Sequence, residues 1–143
     1  MIPYLRPIHF EEIDAAGVVF FGKFYSYTHE AMEHFFDGVE GHYAGLITKR
    51  KIGLPAVNIE TRYLAPLRYG DVIRVETTTV RVGNRSATLR YRIVRTHDEV
   101  LSAEVLHTVV SSDLTEMKSC DMPEDVRRVL EAHLEPSGSS ASG

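Results

Sequence analysis

From Phe24 to Phe36 the apolar and aromatic side chains fall at positions 24, 25, 27, 31, 32, 35 and 36, while Ser26, His29, Glu30, Glu33 and His34 take the remaining arc. That spacing predicts a helix whose apolar face is too wide to leave in water, so the rest of the chain has to wrap around it. Elsewhere the period falls to two. Val57, Ile59, Thr61 and Tyr63 alternate with Asn58, Glu60 and Arg62, and Leu89, Tyr91 and Ile93 alternate with Arg90 and Arg92, the pattern of half-buried strands. Pro66 and Gly70-Asp71 break the first run, Gly83-Asn84 predicts a tight turn between strands 71–82 and 85–96, and His97-Asp98 predicts another before a strand over 100–112. An early strand over 4–12 and a short helix from Pro123 to His133 complete the reading. The expected fold is α+β, an antiparallel meander covering one long central helix.

At 143 residues the chain is of single-domain size, and its 43% hydrophobic and 25% charged content is that of a globular protein. The Pro-Ser-Gly-Ser-Ser-Ala-Ser-Gly stretch over 136–143 cannot bury enough apolar surface to offset its ordering entropy. The expected organisation is one domain over 1–135 and a flexible tail over 136–143. Sixteen Lys and Arg against twenty Asp and Glu give a net charge of −4, which argues against a nucleic-acid partner. The single cysteine, Cys120, cannot form an internal disulfide, no apolar run is long enough for a membrane span, and residues 1–7 lack the order of a signal peptide. A soluble cytoplasmic protein is expected.

The most informative stretch for chemistry is Asp14-Ala15-Ala16-Gly17-Val18-Val19-Phe20-Phe21-Gly22-Lys23. It sets an acid in a small-residue loop that runs into a helix N-terminus, where free backbone N–H groups and the positive end of the dipole can hold developing negative charge. Asp14 can act there as nucleophile or general base at a polarised carbonyl; the plainer reading is an Asp that bonds its own turn. His29-Glu30-Ala31-Met32-Glu33 lacks the second histidine of the zinc-protease pattern, so no metal site is expected, and Glu30 keeps a minor claim as a catalytic carboxylate. The plainer reading of that stretch is a polar stripe with His29–Glu33 and Glu30–His34 contacts. The sequence contains no phosphate-binding glycine loop, no Gly-x-Ser-x-Gly elbow and no Cys-x-x-Cys pair.

The run Ile8-His9-Phe10-Glu11-Glu12-Ile13-Asp14-Ala15-Ala16-Gly17-Val18-Val19-Phe20-Phe21 resembles the N-terminal signature of hot-dog fold acyl-CoA thioesterases of the 4-hydroxybenzoyl-CoA thioesterase type. Tyr63-Leu64-Ala65-Pro66-Leu67-Arg68-Tyr69-Gly70-Asp71 and Val82-Gly83-Asn84-Arg85-Ser86 resemble two later landmarks of that family, and His29-Glu30-Ala31 looks closer to its 1,4-dihydroxy-2-naphthoyl-CoA and other aryl-CoA hydrolases. The resemblance implies a sheet wrapped around the helix, a homodimer or homotetramer with joined sheets, and active sites at the subunit interface. It also implies Asp14 as the catalytic carboxylate and the backbone N–H of Phe21, with that of Gly22 beside it, as donors to the thioester carbonyl. Phe21 departs from the histidine that short-chain relatives carry at this place, which counts against the short-chain reading, and the presence of Asp14 argues against the polyene-releasing relatives.

Thioester hydrolysis also asks for an apolar acyl slot and a basic mouth for phosphates. Phe20, Phe24 and Tyr25 offer the first, and Arg85 the second, since a guanidinium grips phosphate bidentately; a solvated turn Arg is the plainer reading. Gly17 and Ser86 join these as expected substrate contacts. The expected activity is hydrolysis of an acyl-CoA thioester, aryl-CoA in preference, with neither cofactor nor metal. Three rivals stand beside it: a carrier-protein thioesterase of a biosynthetic pathway, a hot-dog dehydratase, and a non-catalytic acyl-binding module. The dehydratase is disfavoured because no His lies between His9 and His29.

Overall fold

A computed structural model describes residues 1–136; the remainder of the expected tail, 137–143, lies outside the described residues. The elements in order are β1 (Ile2–Pro7), a single 3-10 turn at Phe10–Glu12, α1 (Lys23–Phe35), α2 (His42–Thr48), β2 (Ile52–Gly53), β3 (Ala56–Tyr63), β4 (Val72–Val82), β5 (Ser86–Arg95), β6 (Val100–Val110), β7 (Ser112–Asp113), β8 (Lys118–Ser119) and α3 (Glu124–Ala132).

The long helix forms where the apolar stripe predicts it. Phe24, Tyr27, Ala31, Met32 and Phe35 are all buried, at the i, i+3, i+4 spacing that puts them on one face. Opposite them stand Ile73 and Val75 of β4, Leu89, Tyr91 and Ile93 of β5, and Ala103 and Val105 of β6. These side chains join in one hydrophobic core that extends from Ile8 to Leu130. A single antiparallel sheet thus wraps the central helix, the α+β hot-dog arrangement that the resemblance implies.

Three expectations need correction. The strands are not a simple meander: the order is β1-β4-β5-β6-β3, so β3 pairs with β6 at one edge and β4 pairs with β1 at the other. The reason is the connection over 64–71. Eight residues exceed a tight two-residue hairpin loop, and Pro66 has no N–H to offer a ladder there. Eight residues also reach roughly 26 Å, against about 14 Å for three strand spacings, so the chain can cross the sheet. The early strand, expected over 4–12, ends at Pro7, because Glu12 turns back to take the His9 N–H at 2.9 Å and closes a 3-10 turn. The third correction concerns β3, expected to be half-buried, which in the single chain exposes nearly every residue, Val57, Ile59 and Tyr63 included. Helix α2 and the small β2-β7-β8 sheet were not foreseen; with Gly45 inside and Gly38 and Gly41 before it, the seven-residue α2 has no helical signal to read.

Candidate active site

Chain reversal between β1 and α1 is closed by an isolated bridge between Ile13 and Val19. Within it the Asp14 N–H donates to Val18 O at 2.9 Å and the Gly17 N–H to Asp14 O at 3.0 Å. Gly17 holds φ +82°, a conformation that costs a side chain-bearing residue about 1 kcal/mol or more. Asp14 Oδ1 accepts from the N–H of Ala16 at 2.9 Å and of Val18 at 3.4 Å. The plainer reading of Asp14 therefore describes one carboxylate oxygen; Oδ2 accepts no hydrogen bond among the described residues. The turn locks the carboxylate and leaves half of its acceptor capacity over.

Seven residues after Asp14, at Phe21, the chain turns toward α1, which begins at Lys23. Lys23, Phe24 and Tyr25 donate their N–H groups back to Phe20, Phe21 and Gly22 at 2.9, 3.3 and 3.3 Å. The N–H groups of Phe21 and Gly22 donate to nothing among the described residues, and no side chain caps this end of the helix. Both sit at the positive end of a 13-residue helix, so they are donors suited to an oxyanion. Phe21 is held by its carbonyl, which accepts the Tyr63 O–H at 3.1 Å. Beside it opens a pocket of about 320 Å³ lined by Val19, Phe21, Phe24, Tyr63, Leu64 and Pro66. Tyr63, Leu64 and Pro66 carry no catalytic signature of their own, although they lie in a stretch that carries the family resemblance.

Phe24 is buried and meets the Tyr63 ring edge-on at 5.1 Å; Phe20 is exposed and leans on Phe21 at 4.6 Å. The Tyr25 hydroxyl bridges to Thr61 Oγ1 on β3 at 2.9 Å. A second cavity of about 260 Å³ lies further along α1, between Tyr25, His29 and Met32 on the helix and Ile59 and His107 on β3 and β6.

Glu30 is turned toward β1, where it accepts from Tyr4 O–H at 2.9 Å and Arg6 Nε at 2.8 Å, not toward His34. His29 does meet Glu33, at 3.2 Å. Glu30 belongs to a framework under the Asp14 loop. Arg6 grips Glu12 with two hydrogen bonds of 2.8 and 2.5 Å, and the Tyr27 O–H donates to the same carboxylate at 2.9 Å. Burial pushes the Glu12 carboxyl up, but Arg6, the His9 N–H and Tyr27 outweigh it and hold it at about 2. Glu12 also receives the Phe20 N–H on its carbonyl at 3.1 Å, so one residue ties β1, the Asp14 loop and the helix start together.

Arg85 and Ser86 lie elsewhere. The Asp14 loop is bonded to Leu67, before β4, while Arg85 follows β4, so the eleven residues of that strand separate them, roughly 35 Å. Arg85 is paired with Asp121 at 3.0 Å and bonds Ser119 Oγ at 3.2 Å; the Ser86 hydroxyl accepts from Arg81 at 3.4 Å. Within one chain these residues do not join the Asp14 site. Among the described residues no three metal-binding side chains converge, and no helix is long and apolar enough to cross a membrane.

A free carboxylate oxygen, two unused N–H donors at a helix start and an apolar pocket stand together on this hot-dog scaffold. Residues 8–130 match the Thioesterase-like superfamily, and the chain belongs to that family of thioester hydrolases. Among its relatives, a 1,4-dihydroxy-2-naphthoyl-CoA hydrolase of Prochlorococcus marinus is 32% identical, over 95% of this chain and 91% of the relative. A solved gentisyl-coenzyme A thioesterase superposes with a TM-score of 0.79 at 25% identity, over 88% of this chain and 99% of the other. A 1,4-dihydroxy-2-naphthoyl-CoA thioesterase from Synechocystis has the same fold, with a TM-score of 0.82 at 24% identity, over 94% of this chain and 98% of the other.

Proposed function

We propose that this chain hydrolyses an aryl-CoA thioester to the free acid and coenzyme A. The observation that carries the reading is the conjunction in one strand-to-helix loop of an Asp14 oxygen without a partner and two backbone N–H groups without acceptors, all among the described residues. The thioester oxygen takes the Phe21 and Gly22 N–H groups, which stabilise the oxyanion as the carbonyl carbon becomes tetrahedral. Asp14 Oδ2 either removes a proton from a water that attacks that carbon, or attacks it to form an acyl-Asp14 anhydride that a water then hydrolyses; on both routes the coenzyme A thiolate leaves as the tetrahedral carbon collapses. Phe24, Tyr63 and Pro66 keep water from the acyl side. Glu30 serves in this reading as a partner of Arg6 and Tyr4, outside the chemistry. The Prochlorococcus hydrolase and the gentisyl-coenzyme A thioesterase are named for oxygenated aromatic CoA thioesters, which supports an aryl group here.

The test is release of free thiol from a panel of acyl-CoA and carrier-protein thioesters. Aryl-CoA esters are expected to turn over faster than acetyl-CoA and faster than the same acyl group on a carrier protein. No thiol release from any member would end the proposal.

Assembly is part of it. The β3 edge presents unpaired backbone together with exposed Val57, Ile59 and Tyr63, a surface that a monomer would leave open to indiscriminate pairing. A second copy pairing there makes a homodimer, or a homotetramer by a further contact, and only a neighbouring copy can bring an Arg85 to an Asp14 site. The exposed Arg85–Asp121 pair is of the kind worth only 0 to about 1 kcal/mol, so a phosphate can take the guanidinium over. Light scattering at micromolar concentration is expected to give at least a dimer, burying more than about 1,200 Å². A monomer would refute this arrangement.

A further inference from the structure

The two cavities beside α1 lie along one groove. Phe21 and Phe24 face Tyr63 in the first; Tyr25, His29 and Met32 face Ile59 in the second; the Tyr25–Thr61 hydrogen bond stands between them. At 1.5 Å per residue the second cavity begins, at Tyr25, roughly 6 Å beyond Phe21 and extends, to Met32, roughly 16 Å beyond it. That reach suits a fused or substituted aromatic acyl group and exceeds an acetyl or propionyl group.

Most polar groups of this cavity are already engaged. Thr28 Oγ1 donates to Tyr25 O at 3.0 Å, Tyr25 bonds Thr61, and His29 Nε2 meets Glu33. His107 differs. Its Nδ1 lies 3.1 Å from the hydroxyl of Tyr91, which is fully buried in the core, and among the described residues its Nε2 has no hydrogen-bond partner. Tyr91 has no other acceptor within reach among those residues, so its O–H must donate to Nδ1 or stay unsatisfied in the core. Donation to Nδ1 places the ring proton on Nε2. Burial, with nearby His29, also lowers the His107 pKa and keeps the ring neutral. The result is a donor of fixed orientation among the apolar side chains of Met32, Leu54, Ile59 and Val105; the Tyr43 hydroxyl, which lines the same cavity, can rotate and is not fixed in this way.

We propose that this second cavity receives the far end of the acyl group, and that the His107 Nε2–H selects acyl groups bearing a hydrogen-bond-accepting oxygen there. The substrate class is then an oxygenated aromatic acyl thioester, with Tyr91 as the positioning residue that fixes the His107 tautomer. The inference rests on the thioesterase reading of the Asp14 site.

The test compares 6-hydroxy-2-naphthoyl-CoA with 2-naphthoyl-CoA by thiol release, and the corresponding free acids by titration calorimetry. The wild-type protein is expected to favour the hydroxylated ester in kcat/KM, and the hydroxylated acid in Kd, by about tenfold, the scale of one well-placed hydrogen bond in a dry site. H107L is expected to bring both ratios to within about twofold of unity. H107Q, whose amide N–H reaches near the position of Nε2, keeps most of the preference, and Y91F loses about threefold of it by freeing the tautomer. A wild-type protein without preference in either measurement, or an unchanged ratio in H107L, overturns the proposal while leaving hydrolysis standing. No thiol release from either ester, with the His107-dependent preference intact in calorimetry, overturns the hydrolysis reading and leaves the cavity assignment standing.

Discussion

Replacing Asp14 by Asn is expected to lower turnover of an aryl-CoA thioester by a factor of at least about 100, the scale on which a lost general base or carboxylate nucleophile acts. The substitution suits the local geometry. Oδ1 accepts the Ala16 and Val18 N–H groups, and an Asn side chain keeps an acceptor oxygen for them, so the turn closed by Gly17 persists. What changes is Oδ2, which becomes an amide nitrogen with no lone pair to offer. Melting temperature and oligomeric state are therefore expected to stay at wild-type values while the rate falls. D14A makes the contrast: it loses the turn hydrogen bonds too, and its stability falls by about 1 kcal/mol. Single turnover in isotopically heavy water separates the two roles. Oxygen-18 entering the Asp14 carboxylate, or an acyl-Asp14 anhydride trapped by rapid quench, is the mark of attack by Asp14; general-base action gives neither. Near-normal turnover by D14N would remove Asp14 from the chemistry.

The parts of this site that were legible in the sequence are those whose information is local. The apolar stripe from Phe24 to Phe36 predicts α1 because burial of Phe24, Tyr27, Ala31 and Phe35 depends only on helical phase. The turn pairs Gly83-Asn84 and His97-Asp98 predict the β4-β5-β6 hairpins for the same reason. The unused donors at Phe21 and Gly22 follow from where a helix begins, whatever it packs against. The partner of β3 is another matter. Its alternation says which residues share a face but not which strand lies beside it, and that choice is made by the reach of the connection over 64–71.

Side chains that meet across elements were equally illegible. His107 and Tyr91 come from different strands, two positions out of register, so neither stretch of sequence marks a donor. Glu12 looks like one acid among several in His9-Phe10-Glu11-Glu12. Its role appears only once the 3-10 turn swings it onto Arg6 and α1 brings up Tyr27 and Glu30. The distance of Arg85 from the Asp14 loop has the same origin, because a turn residue shows its own backbone needs but not the end of the sheet it occupies.

That buried framework carries the other large expected effect. Glu12→Gln is expected to destabilise the fold by about 3 kcal/mol at pH 7, because removing one partner of a buried ion pair leaves the other poorly compensated. Arg6 keeps the Pro7 carbonyl at 2.9 Å, but its remaining carboxylate partner among the described residues is Glu30 at Nε, and Glu30 is more exposed than Glu12. The pH dependence has a definite sign. The carboxyl sits at about 2 in the folded chain against 4.5 in the ordinary state, so the folded protein holds fewer protons there between those values. Its contribution is fully present above about 4.5 and is lost as pH falls toward 2. With about 1.36 kcal/mol per unit, that depression amounts to some 3 kcal/mol, in line with the loss expected of the variant. The stability difference between wild type and E12Q should therefore be largest near neutral pH and shrink steadily below pH 4.5. Other acids that titrate in this range, Asp98 and Glu99 among them, are common to both proteins and cancel in the difference. Denaturant unfolding of the two proteins at pH 7 and pH 3 measures it. A difference that stays constant between those values, or one below about 1 kcal/mol at neutral pH, would show that the Arg6–Glu12 pair does not hold the Asp14 loop in place.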